Sequence, residues 1–236
     1  HNGGLVKTKN FKEPKYVGDP INAVRIFNEK ESDELMVLDI DATAKKCKPN
    51  FELITKLAAE CRMPLCYGGG ITTAEEAIKL VDLGVEKIAI SSAAIENPDL
   101  LTEISSSVGV QSVVAVIDVH KSKGLFSQKY DVYSKNATIK HKTGLKELLQ
   151  RFEKAGAGEI VVNSIDKDGL MNGYDIELAK EVKKTINIPF SFLGGCGNHD
   201  HISALIEEVG LVGACAGSLF VFKGKYRAVL IQYPNK

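Results

Sequence analysis

Several features are missing from this chain, and each absence closes off a class of function. The 236 residues carry five cysteines, Cys47, Cys61, Cys66, Cys196 and Cys215. The number is odd and no Cys-x-x-Cys occurs, so neither a closed disulfide framework nor a paired-thiolate motif is expected. Cys66 and Cys215 lie inside apolar runs and read as small buried hydrophobes of a reducing, cytoplasmic protein. There is no excess of either charge: Lys plus Arg equals Asp plus Glu, at 30 each. That speaks against general nucleic-acid binding, which wants a basic surface, but leaves room for a local basic patch around a phosphate. No run approaches the ~18 apolar residues of a membrane helix. No signal-peptide pattern is visible either. His199-Asp200-His201 has a ligand-like spacing, yet no third ligand accompanies it and it opens a helical stretch. It reads as a solvated helix start, and no metal is expected. His120 and His141 are isolated and receive no role.

What is present is an alternation of strands and helices. Hydrophobic residues make up 44% and charged residues 25%, as in ordinary globular chains. Short, continuous apolar runs predict strands over 34–40, 64–67, 87–90, 113–118, 159–163, 189–193 and 213–216. Unbroken runs of this kind suit parallel strands covered on both faces. Amphipathic stretches over 74–83, 144–155 and 175–186 predict helices, with Thr73 and Asp175 at cap positions. Gly84, Gly156 and Gly210 follow helical runs as C-terminal caps do. Such a series is one strand short of an α/β (β/α)₈ barrel. Residues 1–7 look like a loop that follows a strand, so the first strand is expected upstream of His1. Residues 1–236 then form a single barrel domain lacking its N-terminal strand. An open doubly wound sheet is the alternative.

An internal repeat favours the barrel. The segment 33–39 resembles 158–163, 63–70 resembles 188–195, and Ile90-Ser91-Ser92-Ala93-Ala94 resembles Ala216-Gly217-Ser218-Leu219-Phe220. Glu34 and Glu159 are 125 positions apart; Gly69 to Gly195 and Ser92 to Ser218 each span 126. Repeats in one order at nearly one offset imply two half-barrels.

The chemistry gathers at strand ends. Gly68-Gly69-Gly70 and Gly194-Gly195 follow strands; Ser91-Ser92 and Gly217-Ser218 end the next strand in each half. Glycine lets backbone N–H groups approach an anion, and a helix N-terminus adds a favourable dipole. Two such sets predict a ligand with two phosphates. Asp118 ends the run Val113–Ile117 and is placed for acid–base work at the barrel top. Asp39 ends an earlier strand and lines the same mouth. The loop Asn163-Ser164-Ile165-Asp166-Lys167-Asp168-Gly169 follows the run Ile160–Val162, and Asp168 suits a turn that orients N–H groups at the second phosphate. The polar segment 119–143 contains Tyr130-Asp131-Val132-Tyr133, which alternates like a hairpin strand.

These residues resemble the cyclase subunit of imidazole glycerol phosphate synthase, from histidine biosynthesis. The matching motifs include Gly18-Asp19-Pro20, Leu38-Asp39-Ile40, Gly68-Gly69-Gly70-Ile71, Ile117-Asp118, Gly156-Ala157-Gly158-Glu159-Ile160 and Ser164-Ile165-Asp166-Lys167-Asp168-Gly169. The sister isomerase of that pathway shares the duplication but lacks Gly173-Tyr174-Asp175. The resemblance implies a glutaminase (class I glutamine amidotransferase) subunit docked at the N-terminal face of the barrel. It implies ammonia passing through the barrel to a bisphosphorylated, imino-linked ribulose nucleotide, and no cofactor, nucleic acid or membrane. Asp118 falls on one of two catalytic aspartates; the other is expected upstream of His1. Lys7 matches a lysine of the mouth, grouped here with Asp118, and Asn163 also lines the mouth. Glu34, Lys87 and Glu159 match gate residues of the ammonia entrance. Gly70, Ser91 and Ser92 match one phosphate site, and Asp168, Gly169, Gly195, Gly217 and Ser218 the other. The chain departs from the pattern at His1-Asn2-Gly3-Gly4, where Lys-Asp-Gly-Arg is usual. It also has Leu193 in place of Ser, with Asn163 and Leu170 each in place of Thr. Leu193 and Leu170 each remove a hydroxyl, a loss of roughly 1.5–3 kcal/mol against a dianion. The opening residues also look like a divergent branch found with genes for amidated surface sugars, where the barrel relays ammonia to a sugar amidotransferase.

Overall fold

The computed structural model describes residues 1–123 and 128–234. The chain opens with an antiparallel hairpin, β1 (Leu5–Lys9) and β2 (Lys12–Gly18), then α1 (Pro20–Glu29) and β3 (Leu35–Leu38). Next come α2 (Phe51–Glu60), β4 (Leu65–Gly68), α3 (Ala74–Asp82), β5 (Lys87–Ile90), α4 (Ser92–Glu96) and α5 (Asp99–Val108). The long β6 (Val113–Lys123) is followed by β7 (Gln128–Ser134), β8 (Ile139–Lys140) and α6 (Leu145–Lys154). The chain ends with β9 (Glu159–Ser164), α7 (Ile176–Thr185), β10 (Phe190–Leu193), α8 (His199–Val209), β11 (Gly213–Ala214), α9 (Ser218–Val221), β12 (Phe222–Lys223) and β13 (Ala228–Val229).

The parallel strands lie side by side in the order β3-β4-β5-β6-β9-β10-β11, which is their chain order. A doubly wound sheet reverses direction at a switch point; this one never does, which is the winding of a (β/α)₈ barrel. Among the described residues β3 and β11 form the two ends of that path and are the least covered of its strands. The expected strands and helices are found with their ends moved by a few residues. The 130–133 segment does form a hairpin strand: β7 pairs antiparallel with the upper half of β6. The β1–β2 hairpin differs from the loop expected at residues 1–7. Its turn is made by Asn10 and Phe11, both with positive φ (50° and 62°), and has no glycine. The usual Asn-Gly hairpin signal is therefore absent.

The strand alternation sorts side chains by size. Leu65, Tyr67, Ile88, Ile90, Val113, Ala115, Ile117, Ile160 and Val162 point outward into the main core with Leu57, Leu80, Leu148 and Phe152 of the helices. Cys66, Ala89, Val114, Val116 and Val161 point inward as a separate buried cluster, with Met36 and Leu193 against it. Period-two alternation between two buried faces explains why the runs looked continuous in sequence.

The halves are duplicated down to their caps. Asn50 accepts from Leu53 N, and Asp175, 125 positions later, accepts from Leu178 N. Thr73 accepts from Glu76 N, and Asn198 from His201 N, again at an offset of 125. Each cap satisfies an orphan amide of its helix. Gly69 lies against the Asp39 carbonyl as Gly194 lies against that of Ser164, so Gly69 is equivalent to Gly194 and not to Gly195. The offset becomes 126 by the next strand, where Lys87 and Gly213 hold matching registers beside Cys66 and Ser191. The extra residue thus falls between the Asn198 cap and β11. His199 and His201 open α8, with His201 Nδ1 accepting from Gly197 N. Among the described residues no group of His, Cys, Asp and Glu is arranged to hold a metal ion. No described helix is long and apolar enough to cross a membrane.

Candidate active site

At the lower end of the sheet, Lys87 on β5 bridges two carboxylates. Its Nζ donates to Glu34 Oε2 at 2.8 Å and to Glu159 Oε2 at 2.9 Å. Glu34 precedes β3 and Glu159 begins β9, so side chains from three strands converge. Partial burial alone would lower the Lys87 ammonium, but its two carboxylate bonds outweigh that and raise its pKa. Ser191 Oγ donates to the other oxygen of Glu159. Above this cluster lies the small inward set of Cys66, Ala89, Val116 and Val161.

At the upper end of the same inward faces stands Asp118. It is partly buried, and Asn163 Nδ2 donates to its Oδ1 at 3.2 Å. Removal from water pushes the Asp118 carboxyl up to about 7, with the negative charge of Asp168 adding to the rise and the Asn163 bond opposing it. Asp118 therefore exchanges protons near neutral pH, the property an acid–base group needs. Asp39 holds its own loop: Oδ1 accepts from Asp41 N and Ala42 N.

Beside the mouth, Lys7, Asp168, Gly169, Leu193, Gly195, Gly217 and Ser218 line one depression. Lys7 enters it from β1 and lies over Gly217, where a Cβ would meet its Nζ. Burial lowers the Lys7 pKa, Asp168 works against that, and Arg227 adds to it. Ser218 is buried, and among the described residues its Oγ has no hydrogen-bond partner. In the first half, Gly70 is buried with φ +75°, Ser91 Oγ is likewise without a partner, and Ser92 Oγ accepts weakly from Lys135 N. Leu193 lines both the inward cluster and the depression, while Leu170 is exposed.

Asp168 does more than the turn role expected of it. Its Oδ2 accepts from Thr8 Oγ1 at 2.6 Å and from Phe11 N at 3.2 Å, and its carbonyl accepts from Asn10 N. Asn10 Nδ2 bonds the carbonyls of Ile165 and Asp166. The neighbouring Asp166 holds the other hairpin through His120 Nδ1 at 2.8 Å and Lys121 N at 2.6 Å. Arg227 completes the rim by donating to the Gly169 carbonyl. Thr8, Asn10, His120 and Arg227 were not singled out from sequence as site residues. Each acts by a tertiary contact that no local spacing announces.

The chain is 53% identical over 232 residues to the "Putative imidazole glycerol phosphate synthase subunit HisF" of Leptospira borgpetersenii, covering 98% of this chain and 91% of that protein. It is 52% identical to the "Putative imidazole glycerol phosphate synthase subunit hisF3" of Vibrio vulnificus, at 98% and 88% coverage. It is 36% identical to the "Imidazole glycerol phosphate synthase subunit HisF" of Bacillus cereus, at 92% and 85% coverage. The family described as histidine biosynthesis protein matches residues 1–227. A barrel-wound sheet, a repeat of half its length and this run of relatives agree, and the chain belongs to the histidine biosynthesis protein family.

Proposed function

We propose that this chain is the ammonia-using cyclase subunit of an imidazole glycerol phosphate synthase. Its substrate is a bisphosphorylated, imino-linked ribulose nucleotide, which it cleaves and closes into imidazole glycerol phosphate, releasing an aminoimidazole carboxamide ribotide. A glutaminase subunit on the N-terminal face supplies the ammonia. One observation carries this reading: the Glu34–Lys87–Glu159 cluster and the Asp118–Asn163 pair occupy opposite ends of the same inward-facing strand surfaces. Between them the inward residues are small. Asp118 moves protons during cleavage and ring closure, for which an acidity near neutral is suited. Lys7, the glycine turns and Ser218 hold one phosphate; Gly70, Ser91 and Ser92 hold the other. The names of the relatives support the same activity.

The test is turnover of that substrate with ammonium salts in place of a glutaminase. Wild type should turn over, and Asp118→Asn should lose at least about 10²-fold in kcat, the scale of a general acid–base contribution, with its fold intact by circular dichroism. Unchanged turnover in Asp118→Asn removes that residue from the mechanism. Leu193 favours a second reading, since it puts a methyl-bearing side chain where a phosphate would welcome a hydroxyl. On that reading the barrel relays ammonia without closing the ring itself, and wild type shows no ammonium-dependent turnover of the bisphosphorylated substrate.

A further inference from the structure

We infer that Arg227 sets the charge preference of the depression lined by Lys7, Gly169 and Ser218, so that it selects a doubly charged phosphate monoester over a singly charged group. The inference rests on the phosphate assignment made above and adds a specificity residue to it. The lining alone does not supply the preference. Its charged side chains are Lys7 and Asp168, one of each sign. The glycine turns and the unpartnered Ser218 Oγ add donors but no net charge. Arg227 tips this balance. Its Nη2 donates to the Gly169 carbonyl at 2.8 Å, which sets the guanidinium directly behind the lining. Arg227 also disfavours the Lys7 ammonium, as one cation does another close by.

The β12–β13 hairpin holds this guanidinium in place. Arg227 Cζ lies 4.7 Å from the ring centroid of Phe222, a buried residue, and Lys15 Nζ lies 5.1 Å from the same centroid. Lys15 Nζ also donates to the Arg227 carbonyl. Arg227 closes the hairpin turn with its N–H on the Gly224 carbonyl and with φ 51°. Glycine suits that backbone conformation, and a residue with a β-carbon is uncommon there. The chain keeps an arginine regardless. A guanidinium has five N–H donors, and Gly169 occupies one. Among the described residues no carboxylate forms a salt bridge with Arg227 or Lys15. The positive charge brought to the rim is therefore not neutralised by the protein, and a dianion gains from it twice what a monoanion gains.

That factor of two separates a charge role from simple support of the Gly169 turn. Two tetrahedral probes are titrated at pH 8 and followed by NMR through the Gly217 amide. Glycerol phosphate is doubly charged there, since the second pKa of a phosphate monoester is about 6. Methyl sulfate is singly charged. Wild type should bind glycerol phosphate at least about tenfold more tightly than methyl sulfate. Arg227→Met keeps the β-carbon and the length but not the charge. It should raise the Kd for glycerol phosphate about tenfold and that for methyl sulfate only about threefold, half the free energy. Arg227→Lys keeps the charge and should hold both values within about twofold. Equal losses for the two probes in Arg227→Met point to the turn and overturn the inference, as does unchanged binding in that variant. Equal affinity of wild type for the two probes overturns it without any variant. If wild type binds neither probe at Gly217, the phosphate assignment falls and the inference with it.

Discussion

Burial makes Asp118 hold a proton that an ordinary aspartate gives up. The folded chain keeps it until about pH 7, while the unfolded chain releases it near 3.8. Stability therefore declines as pH rises between those values and stays reduced above them. Asp118→Asn removes the ionisable group. The variant should be more stable than wild type at pH 8, by up to roughly 4 kcal/mol, with the gap closing near pH 4. Urea unfolding at the two pH values checks this; a gap independent of pH contradicts it. Two glycines of the neighbouring depression should respond differently. Gly169 has φ +68°, and a Cβ there runs into the Thr8 carbonyl. Gly169→Ala should cost about 2 kcal/mol or more in thermal or urea unfolding. Gly217 has φ −117°, and the three atoms nearest a Cβ there all belong to the flexible end of Lys7. Gly217→Ala should keep its stability within about 0.5 kcal/mol yet raise the KM for the phosphorylated substrate. At this scale Asp118 was legible from sequence because a carboxylate closing an apolar strand points to the barrel top. The place of Arg227 was not, since it rests on a bond to Gly169, 58 positions away.

Among the elements, the buried strands were the most legible, because each is a short apolar run between a helix cap and a loop. The β1–β2 hairpin was not. Most of β2 is exposed, and the hairpin is secured less by its own sequence than by the loop 165–169 beneath it. The same loop seats the β6–β7 hairpin through Asp166. Asp168→Ala removes the acceptor for Thr8 Oγ1 and Phe11 N. Amide hydrogen exchange over residues 5–18 should then speed up at least about tenfold, since the ease of local opening is set by the bonds that tie a segment to its neighbours. Exchange in β4, β6 and β9 should be unchanged. Acceleration throughout the barrel would mean that Asp168 supports the whole fold instead.

For the molecule as a whole, the duplication has two consequences. If both halves carry an anion site, a crystal soaked in sulfate should show anions beside Gly70–Ser92 and beside Gly195–Ser218, related by a pseudo-twofold axis. Anions at unrelated places would separate the repeat from the chemistry. The lower charged cluster is not duplicated in the same way: Lys87 corresponds in register to Gly213, so one lysine serves the glutamates of both halves. Glu159→Ala should harm glutamine-driven turnover with the glutaminase subunit present and spare turnover with ammonium salts. Equal loss in both assays places Glu159 outside the entrance. The repeat was visible in sequence through its glycines and serines, but its register was not. The one-residue shift lies in the stretch from Asn198 to β11, which has few distinctive residues to align.

The Asp168 carboxylate touches the first hairpin and is also felt electrostatically by Asp118 and Lys7. Loosening that hairpin with Thr8→Val should hydrate Asp168, muffle its field and leave Asp118 a somewhat stronger acid. Proton affinity at the barrel top thus works as a gauge of whether the rim is seated, readable by following the Asp118 carboxyl carbon through a pH titration of Thr8→Val.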